Sequence, residues 1–386
     1  MKPIYMDYSA TTPVDPQVFA AMQPYFADRF GNPSSIYSAG QIVRKAVEES
    51  RERVAAAINA DPGEIIFTSG GTEADNHALI GYMSANKDRG NHIITSAIEH
   101  HAVLDTCQYL QRIGFEVTFL PVSQDGVVDP ESLKKAIRPN TIMVSIMHAN
   151  NEIGTIQDIK QLAAIAHEKG AVFHTDAVQT VGKIPVDVKE LDVDMLSASA
   201  HKLYGPKGIG FLYVKRGLEL PNYLHGGGQE GKMRPGTENT PGIIGFAKAL
   251  EIAQPVIKER QEKLEELGRR LMMGILDQIP DTIPTGHKSR RIPGFISVCF
   301  KSVDGEALLL MLDKYGIMAS AGSACSAGDH QVSHVLLALG LSQETARGSL
   351  RLTLGKDNSK EEVDLVIQRL VEIVSNLRQK TPAAKV

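Results

Sequence analysis

The stretch Asp194-Met-Leu-Ser-Ala-Ser-Ala-His-Lys-Leu-Tyr-Gly-Pro-Lys-Gly-Ile-Gly-Phe-Leu-Tyr-Val214 decides the fold of this chain. Two apolar runs, at 195–196 and 209–214, flank a turn marked by Gly205 and Pro206. This pattern predicts two strands with Lys202 at the bend between them. An ammonium group at the end of a buried strand must be solvated at the rim, ion-paired or used covalently. A rim lysine is the commonest case, so a Schiff-base role needs support from elsewhere in the chain.

Length, charge and cysteine usage restrict the class of protein. With 386 residues and 42% hydrophobic residues, the chain is expected to form a large domain over 16–254 and a smaller one from 1–15 and 255–386. A net charge of −4 argues against nucleic-acid or anionic-membrane partners. Without a long apolar run or a signal-peptide core, we expect a cytoplasmic protein. The three widely spaced cysteines argue against a disulfide framework or a metal cluster, although one thiol could be reactive.

The alternation of strand-like and helical runs between residues 64 and 214 predicts the fold class. We expect an α/β protein with a mostly parallel sheet and helices on both faces. Before this region, five prolines suggest that residues 1–38 are irregular, and an amphipathic run at 41–59 predicts the first long helix. After residue 255, a strand at 295–300 and a helix at 305–314 belong to a predicted small α+β unit.

Functional groups follow the strands that this pattern predicts. Ligands collect at the carboxyl ends of parallel strands, so these groups are expected to share one edge of the sheet. Gly70, Gly71 and Thr72 form either a phosphate-binding helix start or an ordinary glycine turn with a cap. Their spacing fits neither a dinucleotide fingerprint nor a Walker loop.

The other strand ends carry an aromatic group, a carboxylate and an amide. One ring of the adjacent pair His100 and His101 could stack on a planar ligand, whereas a shared metal is not expected. Asp176 ends an apolar strand and requires a cationic partner, for which a protonated heteroaromatic nitrogen is suitable. Together with Gln179 and Lys202, these groups are what pyridoxal 5′-phosphate needs from a protein.

Several motifs resemble those of one enzyme family. The chain is similar to cysteine desulfurases of the class-V aminotransferase-like family, in the group with a long cysteine loop, and the likeness runs from Tyr5 to the C-terminal helix. The resemblance implies the fold type I of pyridoxal-phosphate-dependent transferases. It is carried by Ser69-Gly-Gly-Thr-Glu-Ala-Asp75, Ile98-Glu-His-His-Ala-Val103, Asn150-Asn-Glu-Ile-Gly154, His174-Thr-Asp-Ala-Val-Gln179, Ser199-Ala-His-Lys202 and Gly322-Ser-Ala-Cys325.

The resemblance implies a role for each residue around the cofactor ring. Lys202 would hold pyridoxal 5′-phosphate as a Schiff base and later transfer protons. Asp176 would pair with the pyridinium nitrogen, and Gln179 would bond the phenolic oxygen. His100 would stack on the ring and serve as a catalytic residue.

The phosphate contacts implied by the resemblance come from two subunits. Thr237 would reach the phosphate of a neighbouring subunit, so a homodimer would be needed for a complete site. Pro235 stands where relatives more often have serine, which weakens this assignment. The contacts within the subunit are implied for Gly71, Thr72, Ser199 and His201.

The resemblance also implies a substrate site and a sulfur acceptor. Arg351 would clamp the substrate carboxylate with help from Asn151, although a strand arginine is more often part of a surface ion pair. Cys325 lies in a run of small residues and would take the sulfur of L-cysteine as a persulfide, with release of L-alanine. Cys107 and Cys299 are interpreted as packed thiols.

Three functional hypotheses remain open at this point. The first is an L-cysteine desulfurase that passes sulfur to acceptor or scaffold proteins for iron–sulfur cluster assembly or tRNA thiolation. The second is another class-V aminotransferase, or a carbon–sulfur or carbon–selenium lyase, that does not use Cys325. The third is an inactive scaffold, which is disfavoured because every chemical position is intact.

Overall fold

A computed structural model describes residues 3–222, 224–321 and 332–380 of the chain. Cys325 and the sequence around it lie outside these residues. The described strands are Ile4–Tyr5 (β1), Ile65–Thr68 (β2), His92–Ser96 (β3), Glu116–Leu120 (β4), Thr141–Ser145 (β5), Val172–Asp176 (β6), Met195–Ser199 (β7), Gly210–Val214 (β8), Thr282–Pro284 (β9), Phe295–Phe300 (β10), Ile317–Met318 (β11) and Ser349–Thr353 (β12).

The described α-helices are Pro16–Met22 (α1), Pro24–Ala27 (α2), Ser38–Ala57 (α3), Gly71–Asn76 (α4), Tyr82–Ala85 (α5), His101–Arg112 (α6), Pro130–Ala136 (α7), Ile159–His167 (α8), Val188–Leu191 (α9), Thr240–Ala253 (α10), Ile257–Gln278 (α11), Gly305–Lys314 (α12), His334–Ala338 (α13), Gln343–Arg347 (α14) and Lys360–Lys380 (α15). Among them, no helix is long and apolar enough to cross a membrane.

The central sheet has seven strands in the order β2-β8-β7-β6-β5-β3-β4. All neighbouring pairs are parallel except those of β8, which runs antiparallel to both β2 and β7. Successive residues face different cores: Ile94 belongs to one apolar cluster and Ile93 to another. Both faces of the sheet are therefore covered, and the predicted α/β class with a mostly parallel sheet is confirmed.

The direction of the strands assembles the polar groups at one edge. Strands β2, β3, β5, β6 and β7 all point the same way, because the antiparallel strand β8 lies between β2 and β7. The segments that follow these five strands therefore meet at a single edge of the sheet. The short connection from β7 to β8 carries Lys202 in a 3₁₀ turn, Ala200–Lys202.

A second apolar core lies beyond the central sheet. It packs α11, α12 and α15 against β10 and β12, and it includes Ile4 and Met6 from the start of the chain. The N-terminal segment joins this core because β1 pairs with β11. The domain division at residues 15 and 254 stays a prediction.

The expectation that residues 1–38 are irregular is wrong for residues 16–27. Helices α1 and α2 begin there at Pro16 and Pro24. Proline is well tolerated in the first turn of a helix, where its missing N–H has no intrahelical partner to lose. The Asp15 side chain also caps α1 by accepting a hydrogen bond from the Gln17 N–H.

Candidate active site

One cavity of about 320 Å³ at the carboxyl edge of the sheet brings together ten of the predicted site residues. These are Gly71, Thr72, His100, Asn151, Asp176, Gln179, Ser199, His201, Lys202 and Arg351. Thr237 lines a different cavity, of about 160 Å³, in the same chain. Cys325 is outside the described residues.

Lys202 projects its amine toward the N-terminal segment of the chain. Its Nζ donates hydrogen bonds of 2.7 Å to the carbonyl oxygens of Ser9 and Ala10, and the side chain also lines the cavity. The strand–turn–strand context predicted for this lysine is present, because β7 ends at Ser199 and β8 begins at Gly210. The amine of Lys202 is thus held by backbone carbonyl groups just beyond the carboxyl end of β7.

Asp176, at the end of β6, faces the cavity as a buried carboxyl group. Its Oδ1 accepts a hydrogen bond of 2.9 Å from the Val178 N–H. Burial raises the pKa of Asp176 to about 6, although this N–H and the charge of Lys202 act in the opposite direction. A cationic group in the cavity would therefore gain an anionic partner here.

Asp75 is a second carboxyl group in the wall of this cavity, and no role was predicted for it. It is buried in α4, and burial together with the charge of Asp176 holds its pKa well above the usual range. Among the described residues its Oδ1 accepts no hydrogen bond, and it lies 3.6 Å from His174 Nε2. The only signal for Asp75 was its place in the Ser69–Asp75 motif.

His100 presents a neutral aromatic ring to the cavity. It precedes α6 as its N-cap, and its Nδ1 accepts a hydrogen bond of 3.1 Å from the Ala102 N–H, which places the ring proton on Nε2. Burial, followed by the charge of Lys202, lowers the pKa of His100 to about 4. The ring is uncharged at neutral pH and is suited to stacking.

The predicted phosphate side of the cavity is polar and closely packed. A Cβ at Gly71, the first residue of α4, would lie 2.5 Å from Val178 Cγ2, so this close approach requires glycine. Across from it are Ser199 and His201, and His201 Nδ1 lies 3.1 Å from Thr11 Oγ1. Burial and then the charge of Lys202 lower the pKa of His201 to about 4.

Gln179 is held from both ends of its amide group. Its Nε2 donates a hydrogen bond of 3.0 Å to the Ser9 carbonyl oxygen, and its Oε1 accepts one of 2.8 Å from Lys183 Nζ. Sequence reasoning missed Lys183, because no motif marks it and its contact depends on the turn after β6.

Arg351, at the centre of β12, lies at the opposite end of the cavity. Its Nη1 donates to the Asn151 carbonyl oxygen at 2.9 Å, and its Nη2 donates to Asp7 Oδ1 at 2.8 Å. The buried Nε has no acceptor among the described residues. The guanidinium therefore keeps donors for an incoming carboxylate. Asp7 was also missed, since its partner is 344 residues away.

Two of the three cysteines are packed thiols that do not line this cavity. Cys107 and Cys299 are both buried, and neither lines the cavity. Burial raises the pKa of Cys299 to about 12 and that of Cys107 far above its usual range. Neither thiol is prepared to act as a nucleophile.

The loop that carries Thr237 is attached to the rest of the chain by two ion pairs. Glu230 binds both Nη atoms of Arg51, at 2.8 and 2.7 Å, and its carboxylate also accepts from the Phe67 N–H. Arg234 pairs with Glu73, one residue beyond Thr72, at 2.7 Å. Thr237 itself is exposed.

Comparison with known proteins gives consistent matches over nearly the full length. Residues 4–366 match the Aminotransferase class-V family. The chain is 51% identical over 383 residues to the cysteine desulfurase IscS of Clostridium botulinum, covering 99% of this chain and 96% of that protein. It is also 51% identical over 381 residues to the cysteine desulfurase IscS of Methanosarcina thermophila, covering 99% and 94%.

Solved structures agree with these matches. A structure described as a NifS-like protein superposes with a TM-score of 0.92 at 39% identity, covering 97% of this chain and all of the other. A structure described as SspA in complex with cysteine superposes with a TM-score of 0.82 at 37% identity, covering 91% of this chain and 98% of the other.

Proposed function

This chain belongs to the Aminotransferase class-V family, as a cysteine desulfurase, and we propose that the cavity around Lys202 removes sulfur from L-cysteine with the help of pyridoxal 5′-phosphate. The observation that carries this proposal is the meeting of three groups in one cavity. These are the amine of Lys202, the buried carboxyl of Asp176 and the guanidinium of Arg351. In the same order, they are suited to bind the aldehyde of the cofactor, its ring nitrogen and the carboxylate of the substrate.

The residues present fit this cofactor. Two buried carboxyl groups, Asp75 and Asp176, face the cavity, and the pKa of each is raised by burial, so a protonated ring nitrogen beside Asp176 would relieve an unfavourable desolvation. The neutral ring of His100 would stack on the cofactor, and Lys202 would bind its aldehyde. The phosphate would be held by Gly71, Thr72, Ser199 and His201.

Two side chains of the protein, Lys202 and His100, would hold or transfer protons next to the cofactor. When bound, pyridoxal 5′-phosphate supplies an electron sink for bonds at the substrate α-carbon. Lys202 Nζ, once released from that covalent role, would carry a proton to or from the substrate, within reach of the Ser9 and Ala10 carbonyls that orient it. His100 carries its own proton on Nε2 and stays neutral, so it can donate a hydrogen bond without adding charge.

Substrate binding and sulfur transfer would involve the other end of the site. Arg351 would take the substrate carboxylate with its remaining donors, and Asn151 would assist. Cys325 would then receive the sulfur as a thiolate nucleophile. In the overall exchange, L-cysteine and the Cys325 thiol become L-alanine and a Cys325 persulfide, so atoms and electrons balance without an external oxidant.

A homodimer would complete the site. Thr237 does not line the active-site cavity of its own chain, and the family resemblance implies that it binds a neighbour's phosphate. A second copy would also have an apolar surface to cover, since six large apolar side chains are more than half exposed on one N-terminal segment. They are Phe19, Phe26, Phe30, Ile36, Tyr37 and Ile42. The further proposed partners are sulfur-acceptor or scaffold proteins, in the cytoplasm, with no direct role for nucleic acid or membrane.

The proposal is tested by assaying the products of L-cysteine with the Cys325→Ala and Cys107→Ala variants. We expect purified wild-type protein to form alanine and a protein persulfide. Cys325→Ala should abolish persulfide formation, whereas Cys107→Ala, which removes a buried thiol away from the cavity, should retain it. Undiminished sulfide release by Cys325→Ala would instead indicate a carbon–sulfur lyase that does not use this thiol.

A further inference from the structure

We propose that Lys183 is a positioning residue that fixes the orientation of the Gln179 amide in the active-site cavity. The proposal rests on the function proposed above, in which Gln179 bonds the phenolic oxygen of the cofactor. Lys183 belongs to none of the motifs that identified the site, and it contacts the cavity through Gln179.

The hydrogen bonds of Gln179 depend on what its neighbours can donate. Lys183 Nζ lies 2.8 Å from Gln179 Oε1, and a lysine ammonium can only donate. The oxygen of the amide must therefore face Lys183, and Nε2 must face the Ser9 carbonyl oxygen, 3.0 Å away. The same carbonyl oxygen accepts a hydrogen bond of 2.7 Å from Lys202 Nζ. A continuous chain of hydrogen bonds thus joins the two lysines through Gln179 and Ser9.

In the alternative orientation, the Gln179 amide could not donate a hydrogen bond to the cofactor. The terminal torsion of a glutamine is broad and roughly two-fold, so its oxygen and nitrogen exchange places at little intrinsic cost. After such an exchange, Oε1 would face the Ser9 carbonyl oxygen and the cavity, where the phenolic oxygen of the cofactor is expected. Gln179 is buried, so water cannot compensate for a mismatched acceptor. Lys183 prevents this exchange.

The charges around Lys183 make the restraint sensitive to pH. Burial, and then the charges of Lys202 and Arg351, lower the pKa of Lys183 to about 7. Burial, followed by the charges of nearby lysines that include Lys183, lowers the pKa of His201 to about 4, so His201 is neutral. Above neutral pH, Lys183 loses a proton and gains a lone pair, and its preference for the amide oxygen weakens.

The experiment measures the absorption spectrum of the bound cofactor as a function of pH. The midpoint of the spectral change gives an apparent pKa. Holoenzymes of wild type, Lys183→Met, Lys183→Arg, Gln179→Leu and the double variant Lys183→Met/Gln179→Leu are titrated, and cofactor content per subunit confirms that each folds and loads. Loss of one hydrogen bond to the phenolic oxygen, worth about 1 kcal/mol, should raise the apparent pKa in Lys183→Met by about 0.7. Lys183→Arg keeps a donor and a charge that is not lost above neutral pH, so its apparent pKa should be no higher than the wild-type value.

The double variant separates positioning from a simple effect of charge. If Lys183 acts through Gln179, Lys183→Met should change the pKa at most half as much in the Gln179→Leu background as it does alone. Additive effects, or an apparent pKa in Lys183→Arg above the wild-type value, would overturn the proposal. A wild-type protein without the absorption band would overturn both this proposal and the proposed function, whereas additive effects leave the latter intact.

Discussion

Replacing Arg351 with lysine is expected to weaken the use of L-cysteine without affecting the cofactor. The guanidinium has five N–H donors, and the structure assigns two of them, to the Asn151 carbonyl oxygen and to Asp7 Oδ1. The buried Nε–H has no acceptor in the part of the chain that the structure describes, and we propose that the unassigned donors bind a substrate carboxylate. Lysine has three donors on one atom and cannot make the same pair of parallel hydrogen bonds.

The size of the effect follows from the donors that are lost. At least one hydrogen bond to a charged group disappears, which is worth about 1.5–3 kcal/mol. This corresponds to a loss of roughly 10- to 150-fold in kcat/KM for L-cysteine. The change should appear mainly in KM, because the carboxylate is bound in the ground state and in the transition state alike.

The assay is steady-state alanine release over a range of L-cysteine concentrations. Cofactor content and absorption spectrum serve as the control, because the contacts of Arg351 lie at the substrate end of the cavity. An unchanged kcat/KM would refute the assignment of Arg351 as the carboxylate clamp. If Arg351→Lys loses kcat/KM and also fails to bind the cofactor, Arg351 has a structural role instead.

Two further predictions concern stability. Arg51→Met leaves Glu230 as a buried carboxylate without its bidentate partner, so the free energy of unfolding measured in urea should fall by about 3–5 kcal/mol. Lys45→Met is the control: it removes an exposed ion pair with Glu49 and should change the free energy of unfolding by less than about 1 kcal/mol. An equal effect of the two variants would contradict the buried ion pair. Glu99 is fully buried, and burial raises its pKa from 4.5 to about 8, so the folded state retains a proton that the unfolded state releases. The free energy of unfolding of wild type relative to Glu99→Gln should therefore fall by roughly 3–5 kcal/mol as pH rises from 4.5 to 8. Urea unfolding of both proteins across this pH range measures the difference. A difference that does not change with pH would refute the raised pKa.

Sequence patterns predicted the sheet and the candidate groups at its carboxyl edge, because both depend on local signals. The apolar runs of β6 and β7 are bounded by polar residues, and parallel topology then places Asp176 and Lys202 at one edge. The segment between Pro3 and Pro33 was harder to interpret. A proline can either end a helix or begin one, and only packing of α1 against α10 selects the second outcome.

The residues that were missed act through contacts between distant segments. Asp7 reaches Arg351, and Ser9 reaches both Gln179 and Lys202, because the N-terminal segment leaves the second core after Met6 and then runs along the cavity. No periodicity or spacing encodes such a crossing. Lys183 is a different case: it is four residues from its partner Gln179, but the turn that joins them is not helical, so the usual i, i+4 pattern does not predict the contact.

The most direct measurement is the identity of the lysine that binds pyridoxal 5′-phosphate. Reduction of the holoenzyme with borohydride, followed by digestion and peptide mapping by mass spectrometry, should place the cofactor on Lys202 alone. Lys183 is a demanding internal comparison, because burial and nearby cations lower its pKa to about 7 and it also borders a cavity next to the site. A label on Lys183, on any other residue or on none would contradict the central claim that the amine of Lys202 organises this active site.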